Sequence, residues 1–195
     1  MRRRSFLLSV ACASVAALTS VACADPPDKE LQQAQGAIDT ARAAGAVQYA
    51  HDEFAAAEDA LKRAHDAVNQ RDYRLALNNA LDARERAQSA AKEAADRKTS
   101  ARAEAERELL DAMTALNDAN SKLRAAEAGR APARALAAPK RVLVDSEAAL
   151  QKARAAFDGG DYLAVIDSAR ATSARLRASA HDFEVAASTP VRRRR

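Results

Sequence analysis

Tryptophan is absent from the chain, aromatic residues make up only 4% of it, and glycine and proline number five each. So few aromatic side chains argue against a strand-rich fold, which draws on aromatic and β-branched residues. So few turn formers leave room for long uninterrupted elements. Cysteine is scarcer still. Cys12 and Cys23 both fall within the first 24 residues, so nothing beyond them can form a disulfide or a thiolate metal site. The longest apolar run, Phe6 to Val21, is shorter than the roughly 20 residues needed to cross a bilayer. No nucleophile elbow, phosphate loop or HExxH pattern occurs, and the expectation is a protein without catalytic activity, cofactor or metal.

What is present in quantity is alanine, 54 of 195 residues. Alanine is the best helix former, and the composition predicts an all-α protein.

The chain opens Met1-Arg2-Arg3-Arg4, continues through the apolar run and reaches Ala22-Cys23-Ala24. A basic start, a short apolar stretch and small residues at a cleavage point describe a secretory signal over residues 1–24. Ala22-Cys23-Ala24 fits release before Asp25. Ser20-Val21-Ala22-Cys23 also resembles the bacterial lipoprotein box, with cleavage before Cys23 and a lipid on it, although the box usually has Leu where Ser20 stands. The expected location is therefore the bacterial envelope, with a membrane as partner if Cys23 is acylated.

Net charge misleads until it is divided by region. The whole chain carries 31 basic and 27 acidic residues. Without Arg2 to Arg4 and the terminal Arg192, Arg193, Arg194 and Arg195, the body from 25 to 191 counts 24 against 27. A nucleic-acid-binding domain would carry a basic face of its own, and none is expected here. The four terminal arginines follow Ser188-Thr189-Pro190 and read as a disordered basic tail over 188–195, with contact to anionic envelope components as the functional alternative.

Between the few Gly and Pro marks, apolar residues recur every three or four positions, the helical period. A first helix over about 28–43, capped by Asp28, presents Leu31, Ala34, Ile38 and Ala41. A second over about 50–70 presents Ala50, Phe54, Ala57, Leu61, Ala64 and Val68. Asp72 caps a third, with a seam of Ala76, Ala80, Ala83, Ala87, Ala90 and Ala94 in coiled-coil spacing. Nothing stops this helix before Gly129, so a rod over about 72–127 is expected. A second seam runs Ala105, Leu109, Ala112, Leu116, Ala119 and Leu123. It is offset by a four-residue stutter near residues 97–105, so the two halves face different partners.

Those partners follow from an internal repeat. A shift of 89 carries Phe54, Leu61, Val68 and Asp72-Tyr73 onto Leu143, Leu150, Phe157 and Asp161-Tyr162; a shift of 78 carries the first helix onto the second half of the rod. The difference is assigned to a longer loop marked by Gly129, Pro132 and Pro139. The expected architecture is an elongated Ala-rich bundle of five helices, in two tandem three-helix units over 28–100 and 101–187 that share the central helix and are coupled only through it.

The run Gly45-Ala46-Val47-Gln48-Tyr49-Ala50, with Ala57-x-x-Ala60-Leu61-x-x-Ala64 and Asp72-Tyr73-x-x-Ala76-x-x-x-Ala80, resembles an Ala-rich bacterial envelope family, domain of unknown function 4398, over about residues 28–100. The resemblance implies an exported protein, often a lipoprotein. Some members carry a peptidoglycan-binding domain, none of which follows here, and the family lends no catalytic residues.

Asp-Tyr-x-x-Ala at Tyr73 and Tyr162 is similar to the opening of the second helix in tetratricopeptide hairpins. That implies a peptide groove beside each Tyr; the plainer expectation is that each ring packs over its turn. His51 and His65 lie 14 residues apart, roughly 21 Å along a helix, and cannot share a metal. They and His181 are expected at the surface. The leading functional expectation is a helical spacer or scaffold facing another envelope protein or polymer, and the alternative is a binding module working through Tyr73, Tyr162 or Arg192 to Arg195.

Overall fold

The structure, a computed structural model, describes residues 25–188. The signal segment, Cys23 and Arg192 to Arg195 lie outside them. The described residues are 90% helical and contain no strand. The helices are α1 (Asp28–Ala43), α2 (Ala46–Tyr49), α3 (His51–Asn69), α4 (Tyr73–Ala128), α5 (Ala133–Asp158) and α6 (Tyr162–Ser188). No helix among the described residues is long and apolar enough to cross a membrane.

The central helix α4 is unbroken for 56 residues, about 84 Å at 1.5 Å per residue. Its first half packs with α1, α2 and α3, and its second half with α5 and α6. Cross-links fix the directions. Arg84 donates to Gln33, while Arg170 meets Glu104 and Glu108, Arg177 meets Asp111, and Lys122 meets Glu184. Later residues of α6 therefore meet later residues of α4, and Arg97, which bonds the Tyr49 carbonyl beyond the end of α1, gives the same direction for α1; both helices run parallel to α4. α3 and α5 return antiparallel. The result is an all-α elongated bundle of two three-helix units sharing one long helix.

Alanine makes this packing close. Ala76, Ala80, Ala83, Ala87, Ala90 and Ala94 are completely buried, as are Ala105, Ala112 and Ala119. Without larger side chains at these positions, neighbouring axes can approach to the short end of the usual 8–10 Å. The bulk comes from the partner helices, through Ile38, Phe54, Leu150, Val165, Leu176 and Phe183. The seams predicted on α1, α3, α5 and α6 face inward, with Val68, Leu116, Leu123 and Phe157 half-buried at their margins.

Five expectations need correction. The described residues form six helices, because Gly45, at a φ of 90°, turns the chain into the extra single turn α2. Glycine is needed there twice over: its φ is one L side chains rarely adopt, and a Cβ would press to 3.3 Å of the Tyr49 ring. Asp28 is the first helical residue rather than the cap; the preceding Pro27 accepts from the Leu31 amide. The register change lies later than expected. Residues 95–100 are all exposed, and the two successive four-residue steps run through the buried Ala101, Ala105 and Leu109. Ser188 closes α6 instead of opening the tail.

The last correction concerns Pro139, which lies inside α5 and not in a loop. The connection is only residues 129–132, and α4 and α5 each extend seven residues beyond the equivalents of the α1 end and the α3 start. The extra length of the repeat is therefore two helical turns on each arm of a hairpin. At the shift of 89, Pro139 stands where Ala50 precedes α3. The proline marks where the shorter unit starts its returning helix; the longer one runs helical through it, giving up one backbone bond, with the ring buried.

Candidate interaction surfaces

The two Asp-Tyr turns are built alike. Each follows a helix whose end is closed by a residue at positive φ, Arg71 at 58° and Gly160 at 82°. In each, the next amide reaches back five residues, Asp72 to Ala67 and Asp161 to Ala156, the hydrogen bonding of a Schellman cap. The aspartates then cap the following helices: Asp72 accepts from the Leu75 amide at 3.0 Å and Asp161 from the Ala164 amide at 3.4 Å. Tyr73 and Tyr162 are each half-buried as first residues of α4 and α6.

Their surroundings differ. The Tyr162 ring packs edge-on against Phe157 across its turn, with centroids 5.3 Å apart. It also lines an open groove of about 320 Å³ with Ala44, Ala95, Lys98, Thr99 and Arg102. The groove beside the Tyr73 turn, about 260 Å³, is lined by Arg63, Asp66, Ala67, Gln70, Leu75 and Asn79. A third cleft of about 340 Å³ runs between α1 and α3 and includes Ile38, Leu61 and His65. Arg42 holds its rim, 2.8 Å from Glu58 and over the Phe54 ring at 5.5 Å. All three histidines are exposed, and no cluster of metal-ligating side chains occurs among the described residues.

The groove at Tyr162 marks a contact that sequence reasoning missed. It brings Ala44, just past α1, near the first residue of α6, so that side chains from the ends of the two units meet beside the exposed segment 95–100. Tyr49 fills that joint at 5% exposure. Its hydroxyl is buried without a hydrogen bond of ordinary geometry, next to the Tyr162 backbone and the Asp161 carboxylate. Burial raises the Tyr49 pKa, and the Asp161 charge adds to the effect. Arg97 donates to the Tyr49 carbonyl at 3.1 Å and ties the same turn to α4. The units are thus coupled through helix continuity and through this joint, and a single contiguous apolar core runs through both. The only sequence signal was Tyr49 itself, an aromatic residue beside Gly45 in a chain with few of either.

Ion pairs run along the α4–α6 surface, through Arg170, Arg177 and Lys122. Glu184 is held below the usual carboxylate range by its hydrogen bond from Lys122, whose own pKa is raised in turn. These side chains are solvent-exposed, and such pairs set register more than they add stability.

Residues 29–107 match the model of a family described as domain of unknown function (DUF4398). The match begins with α1 and ends on α4 within the register change, covering the first unit. No curated protein and no solved structure matches the chain.

Proposed function

We propose that this chain is a non-catalytic spacer of the bacterial cell envelope, exported by residues 1–24 and held at a membrane by a lipid on Cys23. The observation that carries the reading is the 56-residue α4, both halves of which are covered by partner helices from the same chain. Such a fold spends its residues on length. Its apolar seams are satisfied internally, and its clefts are open surface grooves with charged rims. The signal pattern of residues 1–24, with a small-residue site at Cys23, supports the location.

The test is fractionation of cells expressing the full chain, with mass spectrometry of the mature N-terminus. The expected result is a membrane-associated protein beginning at an acylated Cys23, released by Cys23→Ala. A soluble protein beginning at Asp25 would overturn the anchored reading. A peptide-binding module is the second reading. It draws on the Tyr162 groove and gives no reason for a helix of this length.

A further inference from the structure

The two additional turns on each arm of the α4–α5 hairpin have no counterpart in the first unit, and their charge is one-sided. Residues 121–141 hold six basic side chains, Lys122, Arg124, Arg130, Arg134, Lys140 and Arg141, against Glu127 alone. Glu127 is paired with Lys140, and Lys122 with Glu184 of α6. Arg124, Arg130, Arg134 and Arg141 are exposed and make no ion pair among the described residues. Asp118, Asp145 and Asp182 are the remaining acids near this end, Asp145 being one turn beyond Arg141 and level with Lys122, and the basic residues still outnumber them.

The parallel course of α6 adds to this. With Glu184 level with Lys122, Ser188 lies level with the last turn of α4. The chain therefore leaves the described structure at the same tip, and Arg192 to Arg195 follow within seven residues. The end of α4 and the start of α5 thus bring basic residues together at one end of a body that is net acidic over residues 25–191. The opposite tip is balanced: Lys29, Arg71 and Arg74 stand among Asp28, Glu30, Asp66 and Asp72.

From this arrangement we infer that the α4–α5 tip is a docking surface for an anionic lipid bilayer. The charges sit on a helical turn and on the outer faces of two helices, at a blunt end that none of the three grooves reaches. A flat sheet of phosphate headgroups satisfies such independent charges without requiring a register. A bound polymer strand would call for a groove to hold it. The attraction is electrostatic, so it falls away with salt over about 10 Å at 0.1 M. The inference stands whether or not Cys23 is acylated.

The test is co-sedimentation of residues 25–195, which contain all six helices, with two kinds of vesicle: phosphatidylcholine alone, and phosphatidylcholine mixed with phosphatidylglycerol. Binding is expected to the mixed vesicles only and to be lost in high salt. Each cation removed should lower partitioning about fivefold, so the triple variant Arg130→Gln, Arg134→Gln, Arg141→Gln should bind roughly 100-fold more weakly. The matched variant Lys29→Gln, Arg71→Gln, Arg74→Gln at the other tip should bind as the unaltered chain does. Circular dichroism checks that both variants keep their helix content. Equal loss in the two variants would overturn the inference, as would an unaffected tip variant whose binding disappears only when Arg192 to Arg195 are deleted. Binding to a soluble anionic polysaccharide but not to the vesicles would overturn it as well.

Discussion

Alanine and tyrosine mark two limits of what single residues reveal. The seam alanines were legible because burial on a helix follows spacing, and the three–four alternation survives from Ala76 to Ala94 and from Ala105 to Ala119. Tyr49 was not legible. Its burial depends on two turns, more than 100 residues apart in sequence, meeting end to end, and no local pattern encodes that. Its raised pKa makes a prediction. Folding favours the neutral phenol, so the contribution of Tyr49 to stability is full below about pH 10 and is lost as pH climbs through its folded-state value. A tyrosinate absorbance titration should show a component ionising above the ordinary tyrosine range. Tyr49→Phe should remove that component; three tyrosines all ionising in the ordinary range in the unaltered chain would mean that the joint is open in solution.

Among the elements, the long helix could be read from the absence of Gly and Pro between Asp72 and Gly129, and the Asp72 cap from its place before a periodic run, although the same reading failed for Asp28 behind Pro27. The α4–α5 connection was misread because Pro139 was taken as punctuation. A proline reports that one backbone donor is missing, and α5 shows that this alone does not end a helix. The α4 segment 95–100 is exposed on every side, so packing adds little to hold it helical. Ser100→Pro should cost about 3 kcal/mol through the lost bond to the Asp96 carbonyl and the ring clash, measured by thermal or denaturant unfolding. Helix content should hardly change, because the units on either side keep their own partner helices. Adding Tyr49→Ala should then loosen the particle, since the joint is the second coupling. Global unfolding by Ser100→Pro alone would show that α4 continuity nucleates the whole core.

At the scale of the molecule, the chain enters and leaves the rod at opposite ends. Gln33 pairs with Arg84, which puts the start of α1 within two turns of the α3–α4 tip, while Ser188 lies at the α4–α5 tip. A lipid on Cys23 at one end and a basic tip at the other would let one molecule span two surfaces separated by about the length of α4, roughly 84 Å. The repeat in the sequence showed two units. Which end each terminus occupies became visible only with the helix directions.

Small-angle scattering of residues 25–195 tests this elongated architecture most directly. A rod as long as α4 predicts a maximum dimension of about 85–95 Å and a radius of gyration of about 25 Å, nearly unchanged between low and high salt. A radius of gyration of about 16 Å, the value for a compact domain of this size, would mean that the two units fold back on each other, and would contradict the account.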